Sequence, residues 1–195
     1  MRKRLLQLTM LAIVATLGLA LTSCEDEDIA YTLEGTWEGN TYMYSYYNDA
    51  YYQSTYSYVD FSRDPFTYTS GTGHWIDYYS NAPWDYVANH IYWWVDNGVI
   101  NIHFEEDNYT IYIERYRLDD NHFTGTIYWN RDNDRNFDLV HTSSPNWNSY
   151  TWGTGWNYYY YAPAAKGDKA KARGNAERPQ RVFNPQNIDP ARVVK

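Results

Sequence analysis

Cysteine is almost absent: Cys24 is the only one in 195 residues, so no internal disulfide can staple the chain. Catalytic signatures are missing as well. There is no Gly-x-Ser-x-Gly elbow, no phosphate-cradling glycine loop and no His-Glu-x-x-His pair, which removes the usual motifs of serine hydrolases, nucleotide binders and zinc proteases. His74, His90, His103, His122 and His141 never stand two, three or four positions apart, so they form no compact metal motif and neither metal nor cofactor is expected. Carboxylates are plentiful, but Glu105-Glu106-Asp107 and Asp119-Asp120 read as solvated hairpin turns without the spacing of a calcium loop. Aliphatic residues are scarce between Tyr31 and Tyr161, and no segment there has helical periodicity.

What is present begins with a leader. Arg2, Lys3 and Arg4 form a positive amino-terminal cluster, followed by an apolar stretch clearest from Met10 to Leu21. At roughly a dozen residues the stretch is short of the ~20 needed to span a bilayer, but it suits a signal-peptide core. It ends in Leu21-Thr22-Ser23-Cys24, which resembles a lipobox. That resemblance implies cleavage before Cys24, a diacylglyceryl thioether on its sulfur, and membrane lipid as the first partner. Several acyl chains anchor firmly where one binds only marginally. Glu25-Asp26-Glu27-Asp28 reads as a solvated acidic tether over residues 24–30. It is also similar to the acidic surface-export signals of some Gram-negative lipoproteins. The expected location is therefore the cell envelope, on the outer membrane and in one reading on its outer face.

Charge divides the remainder. The leader's three basic residues leave the mature chain at −11; residues 163–195 hold eight Lys/Arg and three Asp/Glu, a net +5, so residues 24–162 carry −16. The tail over 162–195 has Phe183 as its only aromatic and too little apolar surface to offset the entropy of ordering, which predicts disorder. It reads either as an inert extension or as a basic interaction arm. Nucleic acid is a poor partner for a globular part this acidic.

All 23 Tyr and all nine Trp lie between Tyr31 and Tyr161, a stretch that makes one domain. Its pattern is β throughout. Trp93-Val95 and Ile100-Ile102-Phe104 alternate with polar residues on either side of Asp96-Asn97-Gly98, a strong hairpin signal because Asn and Gly tolerate positive φ. Four hairpinned strands are predicted from about His90 to Asn130, another over Asn136–Thr142, and three upstream at Gly35–Tyr44, Thr55–Ser62 and Gly73–Tyr79. Loops are expected at Tyr46–Gln53, Arg63–Pro65 and Ser80–Asn89. Eight strands with short connections favour an all-β, antiparallel up-and-down barrel, which leaves no open edge; a β-sandwich is the alternative. Gly35-Thr36-Trp37, Trp93 to Gly98, Tyr116 to Leu118 and Phe123 to Gly125 together resemble the lipocalin-like domains of small bacterial lipoproteins over residues 31–142. In that family the first-strand tryptophan usually packs across the closed end of the barrel.

The aromatic excess points to function or to core. Strand-internal Trp37, Trp93 and Trp129 read as core. The tract containing Trp147, Tyr150, Trp152, Trp156 and Tyr158, broken by Gly153 and Gly155, is the candidate ligand-binding surface, since exposed Tyr and Trp make rigid platforms. The expected function is a non-catalytic binding module for a glycan, a small amphipathic ligand or a partner protein. The alternatives are a structural lipoprotein of an envelope complex and a hydrolase with a carboxylate pair.

Overall fold

The computed structural model describes residues 25–130, 133–152, 179–183 and 188–194. The leader with Cys24, Trp156 and Tyr158 of the candidate tract, and most of the tail lie outside the described residues. Eight strands close into a barrel: β1 (Gly35–Asn40), β4 (Tyr56–Arg63), β5 (Ser70–Tyr78), β6 (Tyr86–Asp96), β7 (Val99–Phe104), β8 (Tyr109–Leu118), β9 (His122–Asn130) and β10 (Asn133–Thr142). Every pairing is antiparallel, and β1 closes the ring by pairing with both β4 and β10. The eight strands are those the alternation predicts, and the ring excludes the sandwich.

Alternation decides what faces inward. Trp37, Val59, Phe61, Trp75, Ile91, Trp93, Ile100, Ile102, Phe104, Ile111, Phe123, Ile127 and Leu139 are buried in one cluster. Their rings meet edge to face, as in Phe61–Trp93 at 5.6 Å and Phe123–Phe137 at 4.7 Å, the geometry aromatic quadrupoles prefer. Close packing also explains Gly73: a Cβ there would collide with the Asp60 carbonyl oxygen on β4.

Residues 25–33 form a helix that seals the base of the barrel, with Ala30 and Leu33 in the core. Gly35, at φ 128°, turns the chain from helix into β1. Trp37 then lies fully buried at the closed end and donates its indole N–H to the Leu33 carbonyl at 2.8 Å, satisfying a carbonyl left free at the helix end. The acidic run is thus not wholly a solvated tether. Asp26 is buried and accepts from the backbone N–H groups of Asn97 (3.0 Å) and Gly98 (2.8 Å), clamping the helix to the β6–β7 turn.

Two further departures concern β2 (Tyr44–Tyr47) and β3 (Ala50–Gln53), which form a hairpin where a loop was expected over Tyr46–Gln53. The first strand accordingly stops at Asn40 instead of running to Tyr44. Asn48 and Asp49 both take positive φ, 46° and 59°, the conformation a two-residue hairpin turn demands. Two pieces of the tail join this hairpin: β11 (Gln180–Val182) pairs antiparallel with β2, and β12 (Val193–Val194) pairs parallel with β3. The resulting order is β11-β2-β3-β12.

Candidate functional site

Three residues of the candidate tract are described, and all lie against the outer wall formed by β5 and β6. Cross-strand register stacks that wall in rows: Tyr78 opposite Tyr86, Ile76 opposite Ala88, His74 opposite His90. Trp147, on the 3-10 turn Trp147–Ser149, stacks on His74 at 4.7 Å and 23°. Trp152 lies 4.5 Å from the His90 ring and 4.8 Å from that of His74. Each histidine is held from the other side by a carboxylate, His74 by Asp60 at 3.2 Å and His90 by Glu106 at 2.7 Å. Trp147 and Trp152 are therefore half-buried staples, and the outward-facing Ile76 and Ala88 between these rows are fully buried. Glu106 is not simply a solvated turn residue, because it also accepts from the His90 backbone N–H at 2.9 Å.

Tyr150 sits differently. It lies at the mouth end, where its hydroxyl meets that of Tyr78 at 2.6 Å and its ring meets Tyr86 edge-on at 5.1 Å. Burial pushes the Tyr78 phenol well above its ordinary range, and the Tyr150 hydrogen bond adds to this, so Tyr78 keeps its proton at physiological pH. These rings line a groove of about 480 Å³ with Thr55, Tyr79, Ser80, Asp85 and Ser149. Apolar ring faces beside hydroxyls and one exposed carboxylate suit a neutral polyhydroxylated ligand, which stacks through its C–H face and hydrogen-bonds at its rim. Among its described lining residues Asp85 is the one carboxylate, whereas glycoside hydrolysis requires a pair. Sequence reasoning missed Tyr78, Tyr86 and Asp85. The available signal was two tyrosines flanking the Ser80–Asp85 turn, which strand pairing sets opposite each other.

Buried side chains occupy the barrel interior at both ends. Below are the packed rings; above, at the mouth, is a buried polar cluster. Asp77 accepts from Ser57 (2.6 Å), Thr41 (3.0 Å) and the Trp75 indole (3.1 Å) through one carboxylate oxygen. Its other oxygen accepts from Arg181, which enters from β11. Arg181 also donates to Asn89 Oδ1 at 2.9 Å, approaches Asp107 at 3.7 Å and lies 4.8 Å over the Phe104 ring. Burial lowers the Arg181 pKa to about 9, which leaves it cationic at pH 7, and the flanking carboxylates favour that form. Among the described residues no group of three or more His, Cys, Asp or Glu is arranged to hold a metal ion.

Fold and interior together define a lipocalin-like up-and-down barrel whose mouth is filled by its own chain. No family model, no curated protein and no solved structure matches this chain.

Proposed function

We propose that this protein is a lipid-anchored binding module of the bacterial outer membrane, carried by Cys24, that captures a glycan in the Tyr78–Tyr86–Tyr150 groove. The observation that carries the reading is the groove itself: four tyrosines around about 480 Å³ with a hydroxyl-rich rim. It lies at the mouth, opposite the end sealed by the helix. The anchor reading gains support from the base. The helix runs from residue 25, directly after Cys24, which leaves almost no tether and holds the base close to the bilayer. Phe66, Tyr31 and Tyr68, the most exposed large apolar side chains among the described residues at 89%, 68% and 51%, belong to that end, and Arg63 lies 5.2 Å over the Tyr31 ring. Aromatic rings with a polar or cationic neighbour suit the headgroup region of a membrane. The groove would then face away from the membrane, towards material arriving from outside. An amphipathic ligand is assigned to the same groove, since Arg181 and its partners occupy the mouth.

An assembly role within an envelope complex is the second reading, favoured by the burial of Trp37, Trp75, Trp93 and Trp129 as core. A glycan panel titrated against the leaderless chain, read by tryptophan fluorescence, separates the two. Binding predicts a saturable response weakened at least tenfold by Tyr150→Ala with the fold retained. Silence across the panel, together with recovery of a specific envelope protein by crosslinking, would favour assembly.

A further inference from the structure

The mouth is built like a receptor, and what occupies it is a short stretch of extended chain. Arg181 and Phe183 are two residues apart, so on an extended segment both point to the same side. Arg181 is fully buried against Asp77, Asn89, Asp107 and the face of Phe104. Phe183 stacks on Tyr109 at 4.2 Å and 16°, and meets Phe104 at 5.4 Å. The segment between them adds to the edge of β2 through the Gln180–Tyr46, Arg181–Ser45 and Val182–Tyr44 register. Backbone pairing along a sheet edge, with alternate side chains entering pockets, is how β-augmentation domains recognise peptides.

The pocket is preorganised from the barrel side. Three donors from Thr41, Ser57 and Trp75 converge on one oxygen of Asp77, leaving the other aimed at the mouth. A planar guanidinium fits this set: a carboxylate and an amide oxygen for its fork and an aromatic face beneath. Charge complementarity agrees, since residues 24–162 carry −16 and the tail +5. The fit of the resident segment is incomplete. Arg181 Nε is buried without a hydrogen-bond acceptor, a cost that a better-seated arginine would avoid.

We infer that the barrel mouth is a binding site for an extended basic peptide of a partner protein, bearing arginine and an aromatic residue two positions later, and that Arg181-Val182-Phe183 is its resident intramolecular occupant. The site is distinct from the glycan groove and from the lipid anchor, with Tyr79 of the groove linked to it by a hydrogen bond to Ser45 on β2. An incoming peptide displaces the tail in a simple exchange, and the tail's covalent attachment sets the concentration against which it must compete.

The test uses a fluorescent peptide of sequence 178–194 and the full chain carrying Arg181→Ala and Phe183→Ala. Anisotropy should report saturable binding, at least tenfold tighter than to the wild-type chain, where the resident segment competes. Adding Asp77→Asn to the chain, or Arg181→Lys to the peptide, should each weaken binding at least tenfold. Absence of binding by a variant with an intact cooperative thermal transition overturns the inference, as does equal binding by a peptide with Arg181→Ala. If the double variant does not fold, a protease site inserted between residues 163 and 178 of the otherwise wild-type chain replaces it. After cleavage the carboxy-terminal fragment should co-elute with the barrel and be replaced by excess labelled peptide. A fragment that separates and cannot be restored, or that resists a hundredfold excess, refutes the exchange.

Discussion

Replacing Asp26 tests whether the acidic run is a tether or part of the fold. Its carboxylate accepts two backbone hydrogen bonds from the β6–β7 turn, at 3.0 Å from Asn97 and 2.8 Å from Gly98, and it lies near the start of the described helix, where negative charge is favoured. Hydrogen bonds to a charged group contribute about 1.5–3 kcal/mol each when buried. Asn97 is exposed, so water can replace part of the loss, and Asp26→Ala should cost about 2–3 kcal/mol in total. For a domain of this size that corresponds to a Tm lower by about 6–15 °C. Asp26→Asn keeps one acceptor and should show roughly half the effect. Glu25, Glu27 and Asp28 are exposed, and neutralising any of them should leave the transition within about 2 °C. Calorimetry on the leaderless chain and these variants decides the matter. Equal shifts for Asp26→Ala and Asp28→Ala would refute the clamp and return the run to the status of a solvated tether.

Two glycines should respond to very different extents. Gly98→Ala meets open space but keeps φ at 75°, so it should cost only about 1 kcal/mol by chemical denaturation. Gly73→Ala drives a methyl into the Asp60 carbonyl, and its soluble yield should collapse. Trp147→Ala with Trp152→Ala removes the rings from His74 and His90 and should cost about 1–3 kcal/mol, with loss of ring-current shifts on both imidazoles in NMR spectra. The backbone N–H groups of Asn121 and His122 hold the Asp119 carboxyl below its ordinary 3.8. Its contribution to the β8–β9 hairpin is therefore complete above pH 3.8 and lost as pH falls through the lower folded value; an NMR titration midpoint at or above 3.8 would contradict this. Cys24→Ser should release the protein from the membrane fraction, and mass spectrometry of the wild type should find acyl chains on Cys24.

The barrel was legible in the sequence because most of β6 to β9 has one buried face and one more exposed face, so period-2 alternation survives there. Asn97-Gly98 announced its turn, and both residues take positive φ, 51° and 75°. The β2–β3 hairpin was hidden by composition. With Tyr44, Tyr46, Tyr47, Tyr51 and Tyr52 on both faces, no alternation of polarity remains to be read, although Asn48-Asp49 was a usable turn signal. The helix over residues 25–33 escaped notice because only Ala30 and Leu33 are buried in the core, with Ile29 partly buried against it. The pairing of β11, within the tail, was hidden for a different reason. Hydrophobic content predicts burial by solvent exclusion, whereas Arg181 is buried by pairing with Asp77 and Asn89, partners more than ninety residues away. Of the candidate surface, Trp147, Tyr150 and Trp152 converge on one wall, but only Tyr150 reaches the groove.

The two ends of the barrel follow different physical rules, and this constrains what it can hold. At the base, apolar rings and a helix exclude water without needing any specific partner. At the mouth, Thr41, Ser57, Asp77 and Asn89 are all fully buried, so an apolar plug would leave a carboxylate and an amide unsatisfied at a cost of several kcal/mol. Only a cation with several donors can close such a mouth, and Arg181 is that cation. A lipid-like ligand would therefore face a double penalty: displacement of the arginine and exposure of Asp77 to hydrocarbon. Under the two proposals, neutral ligands go to the outer tyrosine groove and cationic peptides to the mouth, so a response to one class should leave the Tyr78–Tyr150 or Tyr109–Phe183 ring contact of the other unchanged.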